Sequence, residues 1–268
     1  MNFFKIKLNA NKNRIFIYPL SDIHIGNYYR EDKLKEAIKF IKKKDVYTIL
    51  LGDYIDGINI YDKRFDLKRL PNDYITGWMD NIYLEQLDKF IELLKPIKNK
   101  ILWIHEGNHE RTLRIKHSID PIKIIADSLG IKYLCYEDAL VCLNINNKIV
   151  KIFSTHGHLK LTGGRNKLSR LRKFIEQTSH ICADIYIKGH LHEGISTRQS
   201  VITINKKGKK VIKNRLYMIA NAFMHTIPEN KNSYSSLALY TETIFSHKIL
   251  EINLKNGIIV KEFESEVL

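Results

Sequence analysis

Five times along this chain a short apolar run stops, and carboxylate, amide or imidazole side chains follow at once. RIFIYPL (14–20) runs into Ser21-Asp22-Ile23-His24. VYTILL (46–51) runs into Gly52-Asp53-Tyr54-Ile55-Asp56. KILWI (100–104) leads to Gly107-Asn108-His109-Glu110. VKIFS (150–154) runs into Thr155-His156-Gly157-His158, and DIYIK (184–188) into Gly189-His190-Leu191-His192. These runs read as buried strands. Helical segments lie between them. Residues 32–44 carry Leu34, Ala37, Ile38 and Ile41 at helical spacing, with Asp32 placed to cap the N-terminus. Further helices are predicted over 84–94, ending before Pro96, over 121–128, closed by Gly130, and over 167–178. A strand–helix rhythm of this kind predicts an α/β layered fold with buried sheets.

The last third changes character. From about residue 200 the chain reads as β-rich, with two strands around a Lys-Gly turn and then a hairpin turning at Asn256-Gly257. No repeat, low-complexity tract or linker marks a boundary, so a single domain over 1–268 is expected. Residues 58–83, aromatic, charged and weakly periodic, read as an insertion. It is either a lid or oligomer contact, or a structural excursion packed on the core.

In α/β sheets, ligands bind beyond the carboxyl ends of the strands. Gathering these five ends would bring Asp22, His24, Asp53, Asn108, His109, His156, His158, His190 and His192 into one cleft. A lone His-x-His is usually incidental, and a lone buried histidine usually packs. Five such ends together point instead to a metal site. Carboxylates and imidazoles without thiolate suit Mn, Fe, Co, Ni or Zn. The ligands are too many for one tetrahedral zinc and suit two ions sharing a carboxylate. Such pairs, about 3.5–4 Å apart, clamp the attacking and leaving oxygens of a displacement. Cys135, Cys142 and Cys182 form no CxxC pair, which suggests neither a disulfide framework nor a thiolate zinc site.

The ordered set DxH, GDxxD, GNHE, HGH and GHxH, running from Asp22 to His192, resembles the calcineurin-like metallophosphoesterase superfamily. The resemblance implies a four-layer α/β/β/α sandwich, two packed mixed β-sheets flanked by helices. It implies two divalent metal ions, manganese first among them, with Fe, Zn, Co or Ni as alternatives. Asp22, His24 and His192 would hold one ion, Asn108, His156 and His190 the other, and Asp53 both. A hydroxide between the ions would attack phosphorus, and His109 would protonate the leaving oxygen. Asp56 and Glu110 would orient ligands or backbone, or else make purely structural hydrogen bonds, and His158 and Arg165 would touch substrate. His105, just before the turn, is expected to pack within its strand.

Within that superfamily the protein-phosphatase branch continues its GDxxD motif with Arg-Gly and precedes GNHE with Arg. Here Gly57 follows Asp56 and Glu106 precedes Gly107. The repair-nuclease branch usually has Asp where this chain has Glu110. The layout is most similar to phage-type and prokaryotic metallophosphoesterases. A net charge of +15 fits a polyanionic partner, DNA or RNA, although a Lys-, Ile- and Asn-rich composition can arise from coding bias alone. Lys160, Arg165, Lys167, Arg170, Arg172 and Lys173 form either a phosphate-tracking ridge or a solvated helix face. The expected activity is therefore a phosphodiesterase, a nuclease first, with a small-nucleotide phosphoesterase as the alternative and a non-catalytic scaffold third. No run approaches the roughly 18 apolar residues of a membrane span, and the first residues lack a signal-peptide pattern, so a cytoplasmic location is expected.

Overall fold

The computed structural model describes residues 1–58, 82–157, 166–205, 207–225, 245–255 and 257–263. Its strands are β1 (Asn2–Leu8), β2 (Arg14–Leu20), β3 (Val46–Leu50), β4 (Ile101–His105), β5 (Leu134–Cys135), β6 (Ala139–Ile145), β7 (Lys148–Thr155), β8 (Ile185–Lys188), β9 (Ile195–Ile204), β10 (Lys210–Ile219), β11 (His247–Asn253) and β12 (Gly257–Phe263). Its α-helices are α1 (Glu31–Ile41), α2 (Ile82–Leu94), α3 (Asn108–His117), α4 (Pro121–Leu129) and α5 (Lys167–Thr178). One mixed sheet has the order β1-β6-β7-β8-β10-β9 and the other β12-β11-β2-β3-β4-β5. Within the second sheet β2, β3, β4 and β5 run parallel, so the loops that follow β2, β3 and β4 leave from one end. In the first, β7, β8 and β10 are likewise parallel.

Alternate residues of each strand feed different layers, as the two-residue strand period requires. Ile15, Ile17, Ile49 and Trp103 from one sheet meet Val141, Leu143, Ile152, Ile185 and Ile187 from the other. The intervening residues Leu20, Leu50 and Ile104 face outward onto Leu34, Ile38 and Ile41 of α1, Phe90 of α2 and Ile125 of α4. On the far side Phe153, Tyr186 and Tyr217 pack on Leu171 and Phe174 of α5. Three apolar layers between helix, sheet, sheet and helix make the four-layer sandwich. Both faces of β2, β3 and β8 are buried, which is why these strands read as continuous apolar runs rather than alternating ones.

Some local expectations shift. Arg30, not Asp32, occupies the N-cap of α1 and makes no side-chain cap bond; Asp32 lies inside the first turn beside Lys33 Nζ at 3.3 Å. An acid there still favours the positive end of the helix. Strands β1, β5 and β6 and helix α3 were not anticipated. Most of the insertion over 58–83 lies outside the described residues, as do His158, Arg165 and Lys160. Among the described residues no helix is long and apolar enough to cross a membrane.

Candidate active site

The loops after β2, β3, β4, β7 and β8 converge. Asp22, His24, Asp53 and His192 present ligand atoms within 4.8 Å of one another. Asp53, His156 and His190 do the same, and so do His24, Asp56 and His109. Asp53 belongs to the first two groups. Its Oδ2 lies 3.9 Å from His24 Nε2 on one side and 3.2 Å from His156 Nε2 on the other. Asn108 Oδ1 lies 3.0 Å from His156 Nε2, and His192 Nε2 lies 3.1 Å from Asp22 Oδ1.

The backbone is bent to achieve this. Asp22, His24, Asp53, His190 and His192 all take left-handed φ values, between 52° and 69°. For a residue with a Cβ this conformation costs about 1–2 kcal/mol, and such strain concentrates at functional sites. The bends are held by hydrogen bonds to fixed partners. The Ile23 and His24 N–H groups donate to Asp53 O, and His190 N–H donates to Asp22 Oδ2 at 3.0 Å. Ser21 Oγ donates to the same carboxylate. Tyr54 OH accepts from Gly52 N–H at 2.8 Å and donates to His105 O at 2.7 Å, tying the β3 loop to β4.

Glu110 is the main tie. It is fully buried. Its Oε2 accepts from the N–H groups of Asp53 and Gly107, each at 2.9 Å, and its Oε1 accepts from Tyr54 at 2.8 Å and Ile55 at 3.3 Å. One carboxylate thus fixes the β3 loop against the first turn of α3. Burial, then the Asp53 charge, pushes this carboxyl up to about 7, while the His109 and His156 charges and then the backbone donors pull it back toward ionisation. Gly107 is required at the same junction, since a Cβ there would lie 2.2 Å from both Asp53 N and Asp53 Oδ1.

The histidines differ in charge by surroundings. His156 Nδ1 donates to Leu51 O at 2.7 Å, which leaves Nε2 facing two oxygens, those of Asp53 and Asn108. Burial opposes its charge, but Asp53 outweighs burial and raises it to about 9. Burial lowers His24, and burial with the His156 charge beside it takes His190 down to about 4. His109 is raised: burial is overcome by Asp53 and Asp56. Its Nδ1 donates to Asp56 O, and its backbone N–H donates to Asp53 Oδ1 at 3.0 Å. Asp56 Oδ1 sits between His24 Nδ1 at 3.4 Å and His109 Nδ1 at 3.8 Å.

The donor set fits divalent metal. Asp22 Oδ1, both nitrogens of His24 and His190 Nδ1 are buried and make no well-aligned hydrogen bond among the described residues, although His192 Nε2 comes within 3.1 Å of Asp22 Oδ1 and Asp56 Oδ1 within 3.4 Å of His24 Nδ1. Buried polar atoms go unpaired rarely, and an absent ion is one explanation for such a cluster. His105 is outside this set: its ring bonds Glu137 O at 3.0 Å and Ser154 Oγ at 2.8 Å, packed within its strand. Ser21, Tyr54 and the Leu51 carbonyl were not singled out in the sequence. Only their positions beside the motifs could have signalled them.

A model of the calcineurin-like phosphoesterase family matches residues 17–194, more than half of the chain. The chain belongs to that family. Family members use divalent metals on phosphoester substrates, and this phosphoesterase is a metal-dependent enzyme of that kind. No curated protein matches the sequence. Among solved structures, the phosphoesterase is similar to a metallophosphoesterase from Sphaerobacter thermophilus, at 11% identity and TM-score 0.42, over 93% of this chain and 88% of that one. It is also similar to NAD nucleotidase (NadN) of Haemophilus influenzae, at 10% identity and TM-score 0.44, over 93% of this chain and 49% of that one. Vps29 of Entamoeba histolytica complexed with zinc aligns at 12% identity and TM-score 0.37, over 94% and 99% of the two chains.

Proposed function

We propose that this chain is a two-metal phosphodiesterase acting on nucleic acid. The observation that carries the two-metal reading is Asp53, a single carboxylate facing His24 on one side and His156 on the other. Asp22, His24 and His192 would hold one ion, and Asn108, His156 and His190 the second, with Asp53 shared. Bound there, divalent ions supply Lewis acidity toward a phosphoryl oxygen and lower the pKa of water.

The remaining steps belong to the chain. His109 is the proton donor. Its Nδ1 is committed to the Asp56 carbonyl, so Nε2 is the ring nitrogen left to deliver a proton to the leaving oxygen. Asp53 and Asp56 favour its charged form, the form that carries the proton to be given. The same cation offsets charge on the phosphoryl group as the ester bond breaks. Glu110 and Asp56 act through others: Glu110 fixes the Asp53 loop, and Asp56 orients His24 and His109.

The net charge of +15 supports nucleic acid as substrate. The helix ridge supports it less than its sequence suggests. Arg170 Nη1 lies 3.5 Å from Glu193 Oε2, and Arg172 Nε lies 2.9 Å from Glu176 Oε1, so both arginines have carboxylate partners within the protein. These pairs favour a second reading, hydrolysis of small nucleotides at the same site. The test is a substrate panel with Mn²⁺: bis-p-nitrophenyl phosphate, p-nitrophenyl phosphate, cyclic nucleotides, and single- and double-stranded DNA and RNA. Cleavage of the diester and of a polymer is expected. Turnover confined to monoesters or cyclic nucleotides contradicts the nuclease reading.

A further inference from the structure

The antiparallel pair β9–β10 outruns β8, the strand that joins it to the rest of its sheet. Only Leu216 to Ile219 of β10 pair with β8, whereas Lys210 to Arg215 pair with β9 alone. The result is a two-stranded ribbon whose base is at the active site and whose tip points away from it. Ile195 follows His192 by three residues, and Ala220, at the end of β10, bonds Lys188 O next to Gly189. At about 3.3 Å per residue, the nine steps from Ile219 to Lys210 place the tip about 30 Å from the base.

The charge on this ribbon is one-sided. Residues 195–215 contain seven basic residues, Arg198, Lys206, Lys207, Lys209, Lys210, Lys213 and Arg215, and no acidic one. No Asp or Glu occurs between Glu193 and Glu229, in a chain that has 29 of them among 268 residues. General lysine richness does not account for a gap of that kind. Nor do internal pairs use the charge: Lys207, Lys209, Lys210 and Lys213 have no carboxylate partner among the described residues, unlike Arg170 and Arg172 on α5.

The tip is ordered by its own bonds. Asn205 Oδ1 accepts from Lys207 N–H at 2.9 Å and Lys209 N–H at 3.1 Å, and Gly208 takes φ +74°. Along one face lie Ile202, Ile204 and Ile212, each more than 60% exposed, with Ile202 directly opposite Ile212. A two-stranded ribbon fits the major groove of B-form DNA, about 12 Å wide, and not the deep, narrow major groove of an RNA duplex. Lysines at its tip and edges would reach phosphates, and small apolar side chains would meet sugar and base edges. Residues 195–215 contain no Phe, Tyr or Trp. That composition argues against single strands, which are held by aromatic stacking, and against a membrane surface, where aromatic anchors are usual.

We infer that the β9–β10 ribbon is a duplex-binding arm, holding the phosphate backbone of double-stranded DNA about 30 Å from the bond being cleaved. The inference rests on the nucleic-acid reading of the active site. A span of that length corresponds to about nine base pairs at 3.4 Å each, so the arm should matter for long duplexes and not for short ones.

The test uses the full chain with Lys207, Lys209, Lys210 and Lys213 all replaced by Ala. Thermal unfolding checks its fold, and bis-p-nitrophenyl phosphate turnover with Mn²⁺ checks its active site. Both should match the wild type, with the rate within twofold. Binding to 30-base-pair DNA and RNA duplexes, a 30-nucleotide single strand and a 6-base-pair DNA duplex is then measured by anisotropy in a His109→Ala background, from 50 to 200 mM salt. Affinity for the 30-base-pair DNA duplex should fall at least tenfold, and affinity for the RNA duplex should change less. The slope of log affinity against log salt should flatten by about 0.9 for each phosphate that the four lysines no longer neutralise. The 6-base-pair duplex and the single strand should change little. An unchanged long-duplex affinity and salt slope overturns the inference. So does an equal loss on short and long duplexes, or weakened binding to phosphatidylserine vesicles with duplex binding intact. If the fourfold variant misfolds, Lys207→Gln with Lys209→Gln, confined to the tip, gives the same readout. A wild type that binds long duplex tightly but cleaves none refutes the nuclease reading while leaving the arm standing; a wild type that binds no duplex refutes the arm.

Discussion

At the scale of single residues, the site depends on one carboxylate that faces no substrate. Glu110 accepts backbone N–H groups from two loops at once, so its exchange for Gln is expected to be severe for so small a change. One carboxamide oxygen remains, and the NH₂ turns toward two N–H donors. At about 1–3 kcal/mol for each unpaired buried donor, Glu110→Gln should lower unfolding free energy by about 2–6 kcal/mol in urea titrations. Lys188 offers a test by pH. It is 3% exposed, its Nζ lies against Gly157, and burial lowers its amine from 10.5 to about 8. A lysine depressed in the folded state holds back stability while charged: the penalty is full below pH 8 and fades as pH rises toward 10.5. Lys188→Met should therefore stabilise chelator-treated protein at pH 7 by about 1–3 kcal/mol, and the gain should shrink by pH 10. A gain that is constant with pH would show that packing, not charge, is responsible. The residues that converge at the site were legible in the sequence because their chemistry is written in side-chain type. The sequence did not display the left-handed backbone at Asp22, His24, Asp53, His190 and His192, since φ depends on the loops that Glu110, Tyr54 and the Asp53 carbonyl hold in place.

At the scale of elements, β2, β3, β4, β7 and β8 were legible because each carries a buried apolar run that stops at a polar motif, although in β7 that run begins only after exposed Lys151. Helix α3 was not. Its sequence, NHERTLRIKH, has one well-buried apolar residue, Leu113, so no apolar stripe announces it. Strands β1 and β6 pair with each other at the far edge of their sheet, and no motif follows them to draw notice. The docking of α3 on the β3 loop is the junction that holds Asp53 against Asn108 and His109. Gly107→Ala puts a methyl into Asp53 N and Oδ1 with nowhere to relax but backbone. Isothermal titration of Mn²⁺ into this variant should show affinity weakened by at least tenfold, and turnover of the diester should fall by at least a hundredfold, the size of loss expected when ligand support is disturbed and reacting groups are misplaced. Titration matching the wild type would mean that the α3 junction does not set ligand geometry.

At the scale of the whole molecule, the two sheets must keep register, because Asp22, His24, Asp53 and Asn108 come from one and His156, His190 and His192 from the other. Trp103 is the largest side chain between them. It is fully buried, and its Nε1 donates to Ser154 Oγ at 3.0 Å across the gap. Trp103→Ala should lose about 3–5 kcal/mol of unfolding free energy, and Trp103→Phe, which keeps bulk but leaves Ser154 Oγ with one partner fewer, should lose less. The order of the two losses, read by urea unfolding, separates packing from the hydrogen bond. The sandwich itself followed from the resemblance in motif order, while layering alone followed from the strand–helix rhythm. The most direct measurement of the central reading is hydrolysis of bis-p-nitrophenyl phosphate by chelator-treated protein titrated with Mn²⁺, with metal content per chain determined alongside and His109→Ala run in parallel. The reading requires no turnover without metal, recovery as two ions bind per chain, and a His109→Ala protein that binds the same metal with turnover reduced about 10²–10⁴-fold. Full turnover in chelator, or undiminished turnover by His109→Ala, would contradict it.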